Sequence, residues 1–317
     1  MDRTKILIDC DPGHDDAVAI LYAARHCELL GISTVHGNQT LERTTRNALA
    51  LCELAGIDVP VARGCERPLV GAPVHAGEVH GETGLDGATL PPPKATVVDA
   101  HAVDFIIDLA RRHRGELVLA VIGPQTNVAL ALRREPRLAS WLRAVTIMGG
   151  STTGGNITAA AEFNVFADPE AAAIVFGCGA PIRMVGLNVT RDTGVSQADI
   201  DRLRASGRKV AGVAAGFLQF YLDRHMALSG NRVASMHDVC AIVPFARPDL
   251  IGFRETSVRV ELTGTHTRGM TLCDMRGLRP ANLDPVRAVA PANAEVATSV
   301  RADDLIADVV KTILGYD

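Results

Sequence analysis

Short apolar runs alternate along this chain with segments in which apolar residues recur at helical spacing. The runs are rich in β-branched residues and apolar at successive positions, which is typical of strands in a parallel sheet that is covered on both faces. They are KILIDC (5–10), LLGISTV (29–35), LVLAVIG (117–123), AVTIMGG (144–150) and IRMVGL (182–187). The segments with helical spacing are residues 16–25, 42–55, 99–112, 128–133 and 169–176.

This alternation of strands and helices predicts βαβ units, and therefore an α/β fold with a mostly parallel central sheet and helices on both faces. Near the C-terminus, residues 257–264 and 269–277 read as a hairpin-like pair, and residues 302–314 as a closing helix. The chain contains no linker, repeat or low-complexity tract, so we predict a single domain over residues 1–317.

Two long segments, residues 64–97 and 223–237, have neither a strand pattern nor a helix pattern. Long loops in a compact domain are often binding loops or lids. In an open α/β sheet, ligands bind beyond the carboxyl ends of the strands. We therefore expect both loops to lie near the functional site.

Composition and charge narrow the class of protein. The chain has 317 residues, 47% of them hydrophobic, and a net charge of −4, which disfavours a nucleic-acid-binding protein because such proteins usually carry a basic patch. Its seven cysteines form no CxxC pair, the N-terminus shows no secretory signal, and no apolar run approaches the length of a membrane span. We expect a soluble cytoplasmic protein with neither a nucleic-acid nor a membrane partner.

An acidic cluster stands out in the stretch ILIDCDPGHDDAVAI, residues 6–20. It contains Asp9, Asp11, Asp15 and Asp16 and no Lys or Arg. An acidic first helical turn would explain Asp15 or Asp16, because a helix N-terminus stabilises carboxylates. It does not explain Asp9 and Asp11 at the end of a buried strand, whereas a hard divalent cation with oxygen ligands does. The spacing is not that of an EF-hand loop, so we predict another type of metal site.

A second polar group lies in the segment AEFNVFADPEAA, residues 161–172. Glu162 and Asn164 are two positions apart, so an extended backbone would place them on one face, with Phe163 and Val165 on the other. Such a pair is suited to recognising hydroxyl groups, and the alternative is a solvated strand edge.

Two further segments combine a helix start with polar residues. In VIGPQTNVALAL (121–132) a strand ends at Gly-Pro and a helix starts near Thr126, which alone indicates only a helix cap. In MHDVCAIVPFA (236–246), His237 and Asp238 precede an apolar helix. Asp238 is a possible N-cap, but the adjacent histidine, which titrates near neutrality, favours a functional site.

These motifs together resemble one known family. DCDPGHDDAVAI is similar to the N-terminal signature of the nucleoside hydrolases, the inosine-uridine-preferring ribohydrolases. The resemblance continues through HGN (36–38), VHGETGLDG (79–87), GPQTNVALAL, MGG (148–150), GN (155–156), AEFNVFADPEAA and HD (237–238). It implies hydrolysis of the N-glycosidic bond of ribonucleosides in nucleoside salvage, the open α/β fold of that family, and a homodimer or homotetramer.

The resemblance also implies roles for individual residues. It implies a Ca²⁺ ion bound by Asp11, Asp16, the backbone carbonyl of Thr126, and Asp238. The positions that match substrate-binding residues are Asp15, Asn38, His80, Met148, Asn156, Glu162 and Asn164, with His80 in the loop on the base side. Asp11 matches the residue that takes a proton from the attacking water, and His237 matches a residue near the leaving base. Residues 224–236 contain no Phe, Tyr or Trp that would stack on the base.

Three alternatives remain open at this point. The motif DCD is also found in haloacid-dehalogenase-type phosphatases, but those enzymes need a hydroxyl where this chain has Gly13. A non-catalytic ribose- or nucleoside-binding module on the same fold is possible because fold does not fix function; such a module would be expected to lack Asp11 or Asp238. A zinc site at His75, His80, Glu78 and Glu82 lacks helical spacing, so a mobile loop is the better interpretation.

Overall fold

A central eight-stranded sheet organises the fold. The computed structural model describes residues 3–277, 288 and 290–317. The sheet strands are β1 Lys5–Cys10, β2 Glu28–Thr34, β3 Val61–Arg63, β4 Val118–Val121, β5 Ala144–Met148, β6 Ile182–Val185, β9 Ile251–Thr256 and β12 Ala294–Val300. Their spatial order is β3-β2-β1-β4-β5-β6-β12-β9, and every neighbouring pair is parallel except β12 and β9.

Two small antiparallel pairs lie outside this sheet. β7 Gly194–Val195 pairs with β8 Ala234–Ser235. β10 Val258–Val260 pairs with β11 Thr271–Cys273, which confirms the predicted hairpin-like pair near the C-terminus.

The helices cover both faces of the sheet. They are α1 His14–His26, α2 Leu41–Ala55, α3 Gly77–His80, α4 Ala102–Arg112, α5 Thr126–Arg134, α6 Leu138–Trp141, α7 Phe163–Ala167, α8 Pro169–Phe176, α9 Leu187–Thr190, α10 Gln197–Ala205, α11 Lys209–Ser229, α12 Val239–Ile242 and α13 Ala302–Leu314, with a 3-10 turn at Val243–Phe245. None of the helices in the described ranges is long and apolar enough to cross a membrane.

The alternation of side chains along β1 divides the core into two layers. Ile6 and Ile8 pack with α1, α2, α11, α12 and α13, whereas Leu7 packs on the other face with α4, α5, α6 and α8. All three side chains are fully buried. A strand that is buried on both faces explains why its sequence is almost continuously apolar, and the arrangement confirms the predicted α/β fold.

The structure differs from the predictions in several places. The helices α10 and α11 were not predicted. The strands β9 and β12, which complete one side of the sheet, were not predicted. The predicted loop 223–237 is wrong over residues 223–229, because α11 continues to Ser229 and ends at Gly230, whose positive φ of 73° terminates the helix. The segment 64–97 is irregular as predicted, apart from the short helix α3.

The topology places a crevice at the carboxyl end of β1. The chain passes from β1 to β2 on one side, and returns later to place β4 on the other side of β1. The strand order therefore changes direction at β1, and open α/β sheets bind their ligands at such a point. Asp11 follows β1 and Gly123 follows β4, so both lie in this crevice.

Candidate active site

Three buried carboxylates meet in the crevice. Asp15 and Asp16 lie in the first turn of α1, and Asp238 directly precedes α12. Their carboxylate oxygens lie within 4.8 Å of one another, and none of the ion pairs formed by the described residues includes them. The Asp238 side chain makes no capping hydrogen bond to α12 and instead contacts the Asp16 carboxyl group.

Asp11 lies beside this group and is connected to it through Asn38. The Asn38 backbone N–H donates to Asp11 Oδ2 at 2.6 Å, and its side-chain amide donates both to the Asp11 carbonyl and to Asp16 Oδ2. Asp16 also accepts hydrogen bonds from the backbone N–H groups of Asp11 and Gly13. Asn38 is thus a positioning residue for two carboxylates. Asp16 lies in the first turn of α1, as predicted for a helix start, and it also belongs to the group of buried carboxylates.

Two glycines leave the space that the Asp11 carboxylate occupies. A Cβ atom added to Gly37 or to Gly123 would overlap a carboxylate oxygen of Asp11. Gly37 has a φ of 156° and comes from the loop after β2, while Gly123 comes from the end of β4. The backbone segments that follow β2 and β4 therefore both lie directly against Asp11, with no side chain between them.

The electrostatics of the carboxylate group favour a positive charge beside it. Burial raises the pKa of Asp11, Asp15 and Asp238 well above the usual range, and the negative charge of neighbouring carboxylates raises each of them further. Burial likewise raises the pKa of Asp16, to about 6. Asp11 Oδ1 is buried and has no hydrogen-bond partner among the described residues. These oxygens fit a hard divalent cation, which would relieve the mutual repulsion.

Asp9 does not join the other carboxylates, although the sequence pattern suggested that a cation would explain it. Its Oδ1 accepts hydrogen bonds from Ser33 and from the Asn127 side chain, at 2.5 and 2.8 Å. Burial raises its pKa to about 7. Asp9 is still within β1, whereas Asp11 follows the end of the strand, and Asp9 forms a separate buried network with Ser33 and Asn127.

Thr126 is the first residue of α5, and a short turn separates it from the end of β4. Its hydroxyl donates to Asp168 Oδ2 at 2.7 Å and lies 3.2 Å from His36 Nε2. Sequence reasoning missed both partners. The Thr126 hydroxyl therefore does not cap α5. The backbone of Thr126 lies at the edge of the crevice, between Gln125 and Asn127.

The segment around Glu162 forms a turn, so the predicted extended backbone is wrong. Glu162 is the N-cap of α7, and its carboxylate accepts from the backbone N–H groups of Asn164, Val165 and Gly150. Phe163 and Val165 are buried like the polar pair, because the turn replaces strand alternation. Burial raises the pKa of Glu162 to about 7, against the lowering effect of these three N–H groups.

Asn164 and Asn156 lie on either side of this turn. The side-chain amide of Asn164 donates to the carbonyls of Ile122 and Met148, at the ends of β4 and β5, and Met148 itself is buried. Asn156 is exposed, and its side-chain oxygen accepts from the backbone N–H of Phe163. The predicted substrate-binding residues of this region thus surround the ends of neighbouring strands.

His80 belongs to a cluster of rings that the sequence did not reveal. Its ring stacks against His14 and Tyr221, with ring centroids 5.2 and 5.3 Å away, and Phe220 stacks on the far side against His14. His225 contacts Tyr221. Tyr221 and His225 are four residues apart on α11 and so share a face; this spacing was the available signal, hidden by the assignment of residues 223–237 to a loop.

His237 lies beside Asp15 and Thr190. Its backbone N–H hydrogen-bonds to the Asp15 carboxylate, and its Nδ1 lies 2.7 Å from the Thr190 hydroxyl. Burial, with a further contribution from nearby His225 and Arg191, lowers the pKa of His237 to about 3. The ring is therefore neutral near pH 7.

The zinc alternative does not form in the described part of the chain. His80 Nδ1 is engaged by His14, and His75 Nδ1 lies 3.0 Å from the Gly37 carbonyl. Within residues 3–277, 288 and 290–317, the only grouping of three or more potential metal-binding side chains is Asp15, Asp16 and Asp238.

Comparisons with known proteins identify the family to which this chain is similar. The sequence model for the family described as inosine-uridine preferring nucleoside hydrolase matches residues 6–307. The pyrimidine-specific ribonucleoside hydrolase RihB of Escherichia coli is 37% identical over 318 residues, covering 100% of this chain and 99% of that protein. Among solved structures, the plant nucleoside hydrolase PpNRh1 has a TM-score of 0.91 at 31% identity and covers 99% of both chains. A purine-preferring ribonucleoside hydrolase from Gardnerella vaginalis has a TM-score of 0.90 at 30% identity, with 98% coverage of both chains.

Gly123→Ala should weaken divalent-cation binding at least about tenfold, because the new Cβ would overlap Asp11 Oδ1 and overpacking typically costs about 1–3 kcal/mol. Calorimetric titration with Ca²⁺ and with Mg²⁺ measures the effect. Gly212→Ala is the control: a Cβ there meets nothing within 4 Å on α11, and alanine favours a helix. Unchanged cation affinity in Gly123→Ala would show that this close approach does not matter.

Proposed function

The chain belongs to the inosine-uridine preferring nucleoside hydrolase family and is an enzyme that hydrolyses N-glycosyl bonds, and from this premise we propose that it is a Ca²⁺-dependent ribonucleoside hydrolase of nucleoside salvage. The observation that carries the proposal is the buried group of carboxylates, without a basic partner, at the carboxyl end of β1. The phosphatase and the non-catalytic binding module are not supported, because the family match spans residues 6–307 and Asp11 and Asp238 both lie in the crevice.

The cation would be held by Asp11, Asp16, Asp238 and the Thr126 carbonyl, with Asp15 close to the same oxygens. Hard oxygen donors of this kind suit Ca²⁺. A bound divalent cation supplies positive charge that lowers the pKa of a nucleophilic water and orients the sugar. Asp11 is the proposed base that takes the proton from the attacking water, and its unpartnered Oδ1 supports this role.

The sugar would be held by Asp15, Asn38, Met148, Asn156, Glu162 and Asn164. Cleavage of an N-glycosidic bond develops positive charge on the ribosyl ring, as in O-glycoside hydrolysis. Buried carboxylate and amide oxygens with fixed orientations stabilise such a charge without reorganising. The backbone N–H groups that hold Glu162 support this role, because they fix its carboxylate before the substrate arrives.

The base would leave past His80 and His237. The pKa of His237, lowered to about 3, favours a neutral ring whose Nε2–H donates a hydrogen bond to the departing base while Nδ1 accepts from Thr190. This arrangement supports a donor at the base, without a permanent positive charge beside the sugar. Base preference stays open, because one relative is described as pyrimidine-specific and another as purine-preferring.

We predict one tightly bound Ca²⁺ ion that is required for activity. Chelation or Asp16→Asn should abolish ribonucleoside hydrolysis, whereas Asp108→Asn, on the exposed surface of α4, should not. Metal analysis and steady-state rates with and without chelator measure this. A metal-free protein with full activity would contradict it.

The same site predicts an unusual dependence of stability on pH. In chelator, Asp16 with a pKa of about 6 and Glu162 with a pKa of about 7 bind protons more tightly when folded than when unfolded. Their raised pKa values therefore lower the free energy of unfolding as pH rises from about 4 to 7, by roughly 3 kcal/mol for each group. Saturating Ca²⁺ should reduce this loss, since the ion favours the ionised carboxylates. Urea unfolding at several pH values tests both curves.

Ribose recognition predicts strong discrimination against 2′-deoxyribosides. A site built to hydrogen-bond a hydroxyl rejects the analogue that lacks it by a factor on the order of 10⁴. The value of kcat/KM for 2′-deoxyinosine should therefore fall far below that for inosine, and likewise for the uridine pair. Similar efficiency on both members of a pair would refute the assignment of the sugar-binding residues.

His237→Ala should lower kcat for natural ribonucleosides by roughly 10²–10³-fold, the range for removing a hydrogen-bond donor that stabilises developing negative charge. 4-Nitrophenyl riboside, whose phenolate departs without a proton, should lose much less. Thr190→Val, which removes only the hydroxyl beside His237 Nδ1, should reproduce part of the effect. Parallel losses on both substrates at saturating Ca²⁺ would instead mean that His237 only orients Asp15 and Asp238.

A further inference from the structure

Two fully buried carboxylates, Asp9 and Asp168, lie outside the group that is proposed to bind the cation. Each accepts a hydrogen bond from one of two neighbouring side chains. The Thr126 hydroxyl donates to Asp168 Oδ2 at 2.7 Å, and the Asn127 amide donates to Asp9 Oδ1 at 2.8 Å. Thr126 and Asn127 are the first two residues of α5. The peptide unit that joins them contains the Thr126 carbonyl, the proposed backbone ligand of the cation.

We propose that Asp168 and Asp9 are positioning residues that hold this peptide unit from both ends, so that the Thr126 carbonyl is in place before the cation binds. The inference rests on the proposed function, because it takes this carbonyl to be a ligand of the cation. It assigns a role to two buried carboxylates that have no other part in the proposed reaction.

The first anchor holds the Thr126 side chain. Asp168 Oδ2 also accepts from the Leu69 backbone N–H at 2.9 Å, and Asp168 Oδ1 accepts from the Ala171 backbone N–H at 3.0 Å. Three donors converge on one carboxylate, so its position is fixed. His36 Nε2 lies 3.2 Å from the Thr126 hydroxyl oxygen. A β-branched side chain has few rotamers, and these contacts hold that of Thr126 in one of them.

The second anchor holds the Asn127 side chain. Its amide nitrogen donates to the Asp9 carboxylate and, at 3.0 Å, to the Thr34 carbonyl, while its amide oxygen accepts from the Cys65 backbone N–H at 2.8 Å. A Cβ atom on Gly64 would overlap this amide, so the glycine leaves the space that the side chain occupies. The amide is therefore bonded to β1, to β2 and to the loop after β3.

Anchors on both sides restrict the carbonyl between them. The peptide bond is planar, so the two flanking Cα atoms and the carbonyl group move as one rigid unit. A side chain that is fixed at each of these Cα atoms removes most of the freedom of that unit. A ligand that is already ordered costs less conformational free energy on binding, and residues that orient metal ligands contribute roughly 10–100-fold to metal affinity.

A helix cap is the alternative explanation for Asp168. Asp168 is the N-cap of α8, and its Oδ1 serves that role by accepting from the Ala171 N–H. Its Oδ2 takes no part in the cap and instead accepts from Thr126 and Leu69. Because the two roles use different oxygens, a substitution separates them. Asp168→Ser keeps an oxygen that is suited to an N-cap and removes the acceptor for the Thr126 hydroxyl.

Negative charge is the alternative explanation for Asp9, because a carboxylate near the crevice attracts a cation whether or not it holds Asn127. Asp9→Asn removes the charge and keeps an oxygen that accepts from the Asn127 amide, whereas Asp9→Ala removes both. We expect Asp9→Ala to bind Ca²⁺ about fivefold more weakly than Asp9→Asn, the effect of one hydrogen bond. Equal affinities of the two variants would reject the positioning role of Asp9.

Thr126→Val tests the first anchor. It keeps the backbone carbonyl and the side-chain shape and removes only the hydroxyl, which is not itself a proposed ligand. We expect calorimetric titration to show Ca²⁺ binding weakened roughly 10–100-fold. Thr312→Val is the matched control, because the Thr312 hydroxyl also lies between a histidine Nε2, that of His26, and an oxygen acceptor, the Asp308 carbonyl, but in α13. Urea unfolding in chelator should show both variants folded with similar losses of stability, and only Thr126→Val should lose cation affinity.

A double-mutant cycle tests whether Thr126 and Asp168 act through each other. Asp168→Ser alone should weaken Ca²⁺ binding as Thr126→Val does. The double variant should then bind Ca²⁺ within about twofold of the weaker single variant, because residues that share one interaction are not additive. Additive losses would mean that the two side chains act independently, and would overturn the proposal.

The wild-type protein and the variants answer different questions. If the wild-type protein binds Ca²⁺ and Thr126→Val binds it equally well, or if Thr126→Val and Thr312→Val lose the same affinity, the positioning role is overturned and the proposed function stands. A wild-type protein that binds neither Ca²⁺ nor Mg²⁺ would reject the proposed function, and this inference with it.

Discussion

The structure depends most on the burial of like charges without a basic partner. Asp11, Asp15, Asp16 and Asp238 are all nearly inaccessible to solvent, and burying a charge unpaired costs several kcal/mol. The protein reduces this cost with backbone N–H groups and the Asn38 amide, which engage Asp11 and Asp16. These donors leave the pKa values of the carboxylates raised. The proposed cation would supply the remaining stabilisation, and folding and ligand binding would then share one set of groups.

Much of the fold follows from hydrophobic periodicity, because a central strand that is buried on both faces has a nearly continuous run of apolar residues. β1 was predicted with the bounds observed, and α8 and α13 likewise. The edge of the sheet was not predicted. β9 reads IGFRET, in which the middle residues are partly or fully exposed, and its apolar positions are too few for a clear signal. The helix α11 was not predicted, and its exposed last turns, residues 223–229, were assigned to a loop.

The site was predictable where a motif fixes the backbone, and unpredictable where contacts come from distant elements. Asp11 and Thr126 follow neighbouring strands, so topology alone brings their segments together. Asp9, two residues from Asp11, takes part in a different network because strand and turn geometry aim the two side chains apart. The turn at Glu162 depends on backbone N–H groups from Gly150, which no local pattern reveals. The partners of His80 come from α1 and α11, far apart in sequence.

The crevice therefore has two electrostatic halves. One half holds carboxylates whose pKa values are raised by burial, and the other holds His14, His80, His225 and His237, whose pKa values burial lowers. Desolvation is the common cause, but its consequences differ. The acidic half retains a demand for positive charge, which a cation and a ribosyl cation would both satisfy. The histidine half stays neutral, so in the proposed reaction it would offer directional donors and acceptors to a departing base without repelling the positive charge that develops on the sugar.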